Sequence, residues 1–261
     1  MSEQEQPAFF YEIFDPSMPR LGPGDSASTI KALDTLLAAG SAQGGILDGS
    51  TKIRILDIGC GNGAQTIQIA KHCDCSILAV DYQQPFLDEL RRRAEAEGVS
   101  EKIRTQRGDM RCLELDEGDF DMIWCEGAIF IAGFRNGLEA WRPLLAPGGF
   151  CAVTEMTWFK PDPPDECRQF FDPICPEMAG IDANLDMIKS CGYEVLDHFT
   201  LPESAWTEHF YNALELRVRL FREKWTGDPE KIGLLDMLQK EIDIYRKYSS
   251  YYGYAFYLMR R

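Results

Sequence analysis

The segment Arg54-Ile-Leu-Asp-Ile-Gly-Cys-Gly-Asn-Gly-Ala64 narrows the choice of fold more than any other stretch of the chain. A β-rich apolar run carries Asp57 near its end, and Gly59, Gly61 and Gly63 follow at alternate positions. Glycines so placed let the backbone turn sharply and let a ligand lie against peptide groups with no side chain between. The next run, AQTIQIAKHC over 64–73, puts its apolar residues on one helical face. A strand, a glycine loop and a helix N-terminus in that order make a nucleotide-type binding unit.

The alternation then continues. SILAVDY reads as a second strand and PFLDELRRRAEAEG as a helix opened by Pro85 and closed at Gly98. KIRTQRGD and DFDMIWCEG read as strands three and four. A helix through FRNGLEAWRPLL leads by the turn APGG into a fifth strand, FCAVTEMTW. Strands separated by helices require crossovers, which implies an α/β fold with a mostly parallel sheet and helices on both faces. Beyond it, the five prolines between Pro161 and Pro176 predict a loop insertion. NLDMIKSCGYEVLDHFTL predicts a helix, a break at Gly192 and a sixth strand. Residues 204–250 read as helical with an interruption at TGDPE, and GYAFYLMRR as a closing strand. The expected division is an N-terminal cap segment over 1–50, a core over 51–200, a helical insertion over 201–250 and the closing strand over 251–261. The cap carries the aromatic cluster Phe9, Phe10, Tyr11 and Phe14, the turn-rich PRLGPGDS and a helix at TIKALDTLLAAG.

Composition removes several classes of function. The net charge of −15 repels phosphate backbones, so no nucleic-acid partner is expected. The basic run Arg91-Arg92-Arg93 stands among acids and reads as a solvated helix face with ion pairs. No apolar stretch reaches the roughly 18 residues of a membrane span, and the opening MSEQEQPAFF lacks a signal peptide's pattern. Nine cysteines without a framework of spacings read as reduced thiols of a cytoplasmic protein. Cys73 and Cys75 have no second pair at ligand spacing, so no metal site is expected.

The loop itself admits two ligands. GCGNGA fits the dinucleotide fingerprint G-x-G-x-x-G/A, and Asp81 at the end of the second strand can hold the hydroxyls of an adenosine ribose in either case. Three features separate the readings. Asp57 stands where a pyrophosphate would be repelled but a positively charged amino acid would not. Gly63 opens the loop floor further. The GDM of Gly108–Met110 offers an acid beside an apolar side chain for an adenine.

LDIGCGNG, the acid in AVDY, GDM, FDMIWCEG and LAPGGFCAVTE stand in the order found in the class I S-adenosylmethionine-dependent methyltransferases, which this sequence resembles over residues 50–160. PRLGPGD, CEGAIF, TEMTWF, AWTEHFY and YYGYAFYLMRR are further similar to a bacterial, largely uncharacterised subgroup of small-molecule type. The resemblance implies a Rossmann-like seven-stranded sheet with an antiparallel last strand. It also implies S-adenosylmethionine as methyl donor, S-adenosylhomocysteine as product and a small-molecule acceptor. By the family's pattern, Gly59, Cys60, Gly61 and Gly63 line the donor, and Asp57 supports the loop and the donor's amino group. Asp81 takes the ribose, while Asp109 and Met110 frame the adenine. Tyr82 either stacks on that adenine or is a strand-end aromatic.

Other candidates come from position. Glu126 follows the fourth strand at the carboxyl edge of the sheet, where open α/β sheets place their crevice, and can contact the donor or orient an acceptor. Glu155, ending the fifth strand, has a similar claim. His209, in the aromatic AWTEHFY, is the candidate base, with His72 and His198 read as structural. Tyr11 and Arg20 can fold over the pocket. The acceptor, the attacked atom and the oligomeric state, a homodimer included, stay open. The rival functions are a nicotinamide-dependent oxidoreductase and a non-catalytic donor-binding protein.

Overall fold

The structure, a computed structural model, describes residues 9–41 and 51–261. Residues 1–8 and 42–50, which belong to the expected cap and to the stretch read for a targeting signal, lie outside the described residues. The strands are β1 (Ile53–Ile58), β2 (Cys75–Asp81), β3 (Ile103–Arg107), β4 (Phe120–Cys125), β5 (Leu145–Trp158), β6 (Ala179–Gly180), β7 (Glu194–Thr200) and β8 (Tyr252–Arg260). The helices are α1 (Phe10–Ile13), α2 (Ser26–Ser41), α3 (Ala64–His72), α4 (Gln84–Ala96), α5 (Phe134–Trp141), α6 (Asp165–Phe171), α7 (Ile181–Ser190), α8 (Glu203–Trp206), α9 (Asn212–Lys224) and α10 (Pro229–Tyr248).

The strands form one sheet in the order β3-β2-β1-β4-β5-β8-β7, with β6 beside the end of β5. Pairing is parallel from β3 through β5, and β8 runs antiparallel between β5 and β7. The fold is therefore Rossmann-like with the antiparallel last strand that the resemblance implied. The two-residue β6 makes an eighth strand where seven were expected.

Successive strand residues point to opposite faces, and the core divides accordingly. Ile55 and Trp124 pack with Leu33 and Leu36 of α2, Ile67 of α3 and Leu90 of α4. Their neighbours Leu56 and Ile123 pack with Leu138 and Trp141 of α5 and Ile188 of α7. Burial on both faces explains why β1 and β4 read as nearly continuous apolar runs.

Three local expectations need correction. The proline-rich stretch holds a helix, α6: Pro164 precedes it, Asp165 and Glu166 favour its first turn, and Phe171 packs 4.5 Å from Tyr252. The APGG segment lies within β5, because Leu145 already pairs with Phe120 before the chain bulges and Phe150 resumes the register with Met122. The basic run does form ion pairs, with Asp88 and Glu89, but Arg93 also donates to the carbonyls of Pro16, Met18 and Pro19 and so holds the N-terminal segment. The break at TGDPE is the start of α10, where Asp228 accepts from the Lys231 amide and Pro229 occupies the first turn.

Candidate functional site

The strand order reverses between β1 and β4, and crevices in open α/β sheets form beyond the carboxyl ends of the strands at such a point. The glycine loop follows β1 there, and Glu126 follows β4. Gly59, Gly61 and Gly63 have φ of 70°, 53° and 81°, in the left-handed region that favours glycine. The amides of Gly59 and Cys60 both donate to the Val80 carbonyl, at 2.8 and 3.1 Å, which ties the loop to β2. Neighbours also exclude side chains. A β-carbon on Gly63 would stand 2.1 Å from Leu90 Cδ1, and one on Gly59 2.6 Å from Ala128 Cβ. Burial pushes the Cys60 thiol well above its usual range, so Cys60 contributes backbone and shape rather than a thiolate.

Two aspartates hold this loop in different ways. Asp81 accepts from the Gly61 amide through Oδ2 and from the Gln83 amide through Oδ1, both at 2.8 Å. Each oxygen keeps one lone pair. Burial raises its pKa, and the backbone donors work against that. Asp57 is fully buried behind the loop. It accepts from Thr66 Oγ1 at 2.5 Å and from Gln65 Nε2 at 3.3 and 3.4 Å, while the same amide nitrogen reaches the Cys60 carbonyl at 3.3 Å. Burial raises Asp57 to about 7.

Glu126 joins the sheet to the N-terminal segment. Its Oε1 accepts from Trp124 Nε1 at 2.9 Å and Thr29 Oγ1 at 2.7 Å, and its Oε2 lies 3.4 Å from Arg20 Nη1. Arg20 is buried, and its Nη2 has no hydrogen-bond partner among the described residues. The segment is fastened elsewhere by Asn62 Nδ2, which donates to the Pro16 and Met18 carbonyls, and by Gly24, whose amide donates to the Ala205 carbonyl.

These parts enclose a cavity of about 300 Å³. One wall is the glycine loop with Asp81; a second is Tyr11, Arg20 and Leu21; a third is Phe210, Glu241 and Tyr254, with Glu126 also on the lining. Phe130, 44% exposed, stands on that lining too and marks an apolar lip.

Of the residues singled out in the sequence, the structure brings Tyr11, Arg20, Gly59, Cys60, Gly61, Asp81 and Glu126 to this cavity. Gly63 opens α3 beside it. Asp57, Tyr82, Asp109 and Met110 are not on its lining. Tyr82 lies beneath the Arg107 guanidinium, 5.4 Å from the ring centre. Asp109 is engaged by Arg111 through both carboxylate oxygens, which holds it below the usual carboxylate range. Met110 packs beneath Gly59. His209 does not face the cavity. It is exposed in a π-helical turn, Thr207–Tyr211, and borders an outer groove with Arg92 and Arg93, while its neighbour Phe210 turns inward. Glu155 is buried off the cavity, raised by burial to about 8, and its Oε2 has no partner among the described residues.

Among the site residues that the sequence reading missed, Glu241 and Tyr254 carry the polar groups of the third wall. Tyr211 donates to Glu241 Oε1 at 2.9 Å, and burial raises the pKa of both Glu241 and Tyr254. A signal for Glu241 existed: it falls between Leu238 and Tyr245 on the buried stripe of α10, an acid at an apolar position.

Comparisons with known proteins bear on the fold and on the family of its core. A family described as a methyltransferase domain matches residues 55–149. The sterol 24-C-methyltransferase of Kluyveromyces lactis is 27% identical over 161 residues, covering 58% of this chain and 43% of that protein. The chain thus spans less than half the length of that relative. A SAM-dependent methyltransferase from Geobacter sulfurreducens, solved with S-adenosyl-L-homocysteine, superposes with a TM-score of 0.77 at 23% identity over 98% of this chain and 99% of that one. YjhP of Escherichia coli superposes with a TM-score of 0.78 at 21% identity over 97% and 100%. These likenesses establish a shared fold. No helix among the described residues is long and apolar enough to cross a membrane.

Proposed function

We propose that this chain, whose residues 55–149 match a family described as a methyltransferase domain, is a class I S-adenosylmethionine-dependent methyltransferase. It binds S-adenosylmethionine at the glycine loop and methylates a small-molecule acceptor in the cytoplasm, with no nucleic acid involved. The observation that carries the reading is the cavity at the switch point, where bare loop backbone and Asp81 face a buried guanidinium nitrogen without an acceptor. That set fits a ligand with ribose hydroxyls at one end and an amino-acid carboxylate at the other.

When bound, the donor supplies an activated methyl group on a sulfonium. The chain's own residues do the positioning. Asp81 accepts from the ribose hydroxyls with its remaining lone pairs. Arg20 Nη2 takes the carboxylate, and Glu126 fixes Arg20 through the other nitrogen. Asp57 acts through Gln65 and the loop rather than by touch, and Tyr82, Asp109 and Met110, which stand off the cavity lining, would frame the adenine at its margin. Tyr11, Leu21 and Phe130 exclude water. Displacement at a sulfonium carbon needs little more than alignment in a dry site. We further divide the chain into the cap 1–50, the core 51–200, the insertion 201–250 and the closing strand 251–261, the insertion supplying the acceptor wall. A homodimer is compatible with this arrangement.

The test is a screen of purified protein with S-adenosylmethionine against an acceptor library, following S-adenosylhomocysteine by mass spectrometry. Release that depends on an acceptor supports the proposal. A copurified nicotinamide cofactor would return the oxidoreductase. Donor binding without turnover on any acceptor would leave a binding protein.

A further inference from the structure

The third wall of the cavity comes from elements outside the matched domain, and its polar groups are arranged unlike those at the loop. Glu241 Oε1 is occupied by Tyr211, but Oε2 has no hydrogen-bond partner among the described residues. The charges of the lining are also unbalanced. Asp81, Glu126 and Glu241 carry acids, against the single cation Arg20 among the described lining residues. Arg20 pairs with Glu126, and Asp81 is met by two backbone amides. The bound donor, with a sulfonium, an ammonium and a carboxylate, adds one net positive charge, and its hydroxyls belong to Asp81. Glu241 is left with no cation.

Around it the wall is aromatic. Phe14 stacks on Phe10 at 4.4 Å and lies 6.4 Å from Phe210, and Tyr254 completes this side. An unpaired carboxylate set among aromatic rings is the chemistry that recognises an organic cation. A neutral hydroxyl would leave the charge of Glu241 uncompensated in an apolar wall, and a carboxylate or phosphate would be repelled.

We infer that Glu241, with the rings of Phe14, Phe210 and Tyr254, forms an acceptor subsite that selects a small amine with an apolar body. The inference rests on the donor reading above. The amine enters as its ammonium and gives one proton to the Glu241 carboxylate. Its freed lone pair bonds to the methyl carbon as the carbon–sulfur bond breaks, and that bond's electron pair stays on sulfur. The methylated product leaves as an ammonium, and the proton on Glu241 returns to solvent. Burial, which raises Glu241, suits it to hold that proton.

Three probes of matched size separate the possibilities: phenethylamine, 2-phenylethanol and 3-phenylpropionate, each titrated calorimetrically into protein saturated with S-adenosylhomocysteine. The amine should bind at least about tenfold more tightly than the other two. Glu241→Gln, which keeps the shape and an acceptor for Tyr211, should abolish that preference while leaving S-adenosylhomocysteine affinity within about twofold. Equal affinities for amine and alcohol, no binding of the amine at about 10 mM, or a preference intact in Glu241→Gln would each overturn the subsite. Should the variant fail to fold, the preference in the unmodified protein decides alone. Failure of S-adenosylhomocysteine to bind at all removes the donor reading and the subsite with it, whereas donor binding without amine preference removes only the subsite.

Discussion

The two sides of the cavity handle their buried carboxyls in opposite ways. On the loop side, Asp57 and Asp81 have every oxygen met by a donor from the same rigid unit, Thr66 and Gln65 for one and two backbone amides for the other. On the insertion side, Glu241 is met on one oxygen only, by Tyr211. Asp81 is fixed in place by its amide donors and keeps one lone pair on each oxygen, whereas Glu241 has one oxygen with no donor among the described residues. On the proposed function, the loop side is a preformed mould for the donor, and the insertion side is where the second ligand is selected.

The largest effect that can break this contrast concerns Asp57. An ordinary aspartate titrates near 3.9, and burial raises this one to about 7. The folded protein then keeps a proton that the unfolded chain gives up. Its stability is full below about pH 4 and falls as pH rises through 7. The penalty is on the order of 4 kcal/mol in total and about 3 kcal/mol between pH 5 and 8. Asp57→Asn removes the titration, so urea melts should show the variant gaining on the wild type as pH rises. Parallel pH profiles would mean that the carboxyl is not sealed behind the loop.

Glycine substitutions come next. Gly63→Ala forces a left-handed residue and drives a β-carbon into Leu90, and should cost about 2–3 kcal/mol. Gly233→Ala, in α10 with open space around it, should instead stabilise by about 0.5–1 kcal/mol. Denaturant midpoints moving in opposite directions sharpen the contrast between mould and wall; a neutral Gly63→Ala would contradict it.

The smallest effect is expected at His209. Exposed and turned from the cavity, it is a surface residue, and His209→Ala should change donor affinity and turnover by less than about twofold. A hundredfold fall in turnover would restore it as a base and move the acceptor to the outer groove.

The same contrast governs what could be read from the sequence. The loop side is written in backbone requirements and strand ends: glycines that tolerate no β-carbon, an acid closing β2, apolar runs buried on both faces. Such demands leave local marks, and Gly59, Asp81 and Glu126 were found from them. The wall depends on side chains brought together by tertiary packing. Which of His209 and Phe210 faces inward turns on one π-helical turn, which shifts the phase by a residue and leaves no pattern in AWTEHFY. Tyr254 is one aromatic among several in a closing strand. Only the pairing of β8 beside β5 places it next to Gly127, about three strand spacings or roughly 14 Å from β1. The α6 helix hid among prolines because Pro164 starts the helix rather than breaking one.

The central claim is that the cavity at the glycine loop binds S-adenosylmethionine through Asp81. Calorimetric titration of the donor into the wild type and into Asp81→Ala tests it most directly. One site per chain is expected, with affinity about ten- to a hundredfold weaker in the variant, the scale of two hydroxyls losing a charged acceptor. No saturable binding by the wild type up to about 1 mM, or equal affinities for the two proteins, would contradict it.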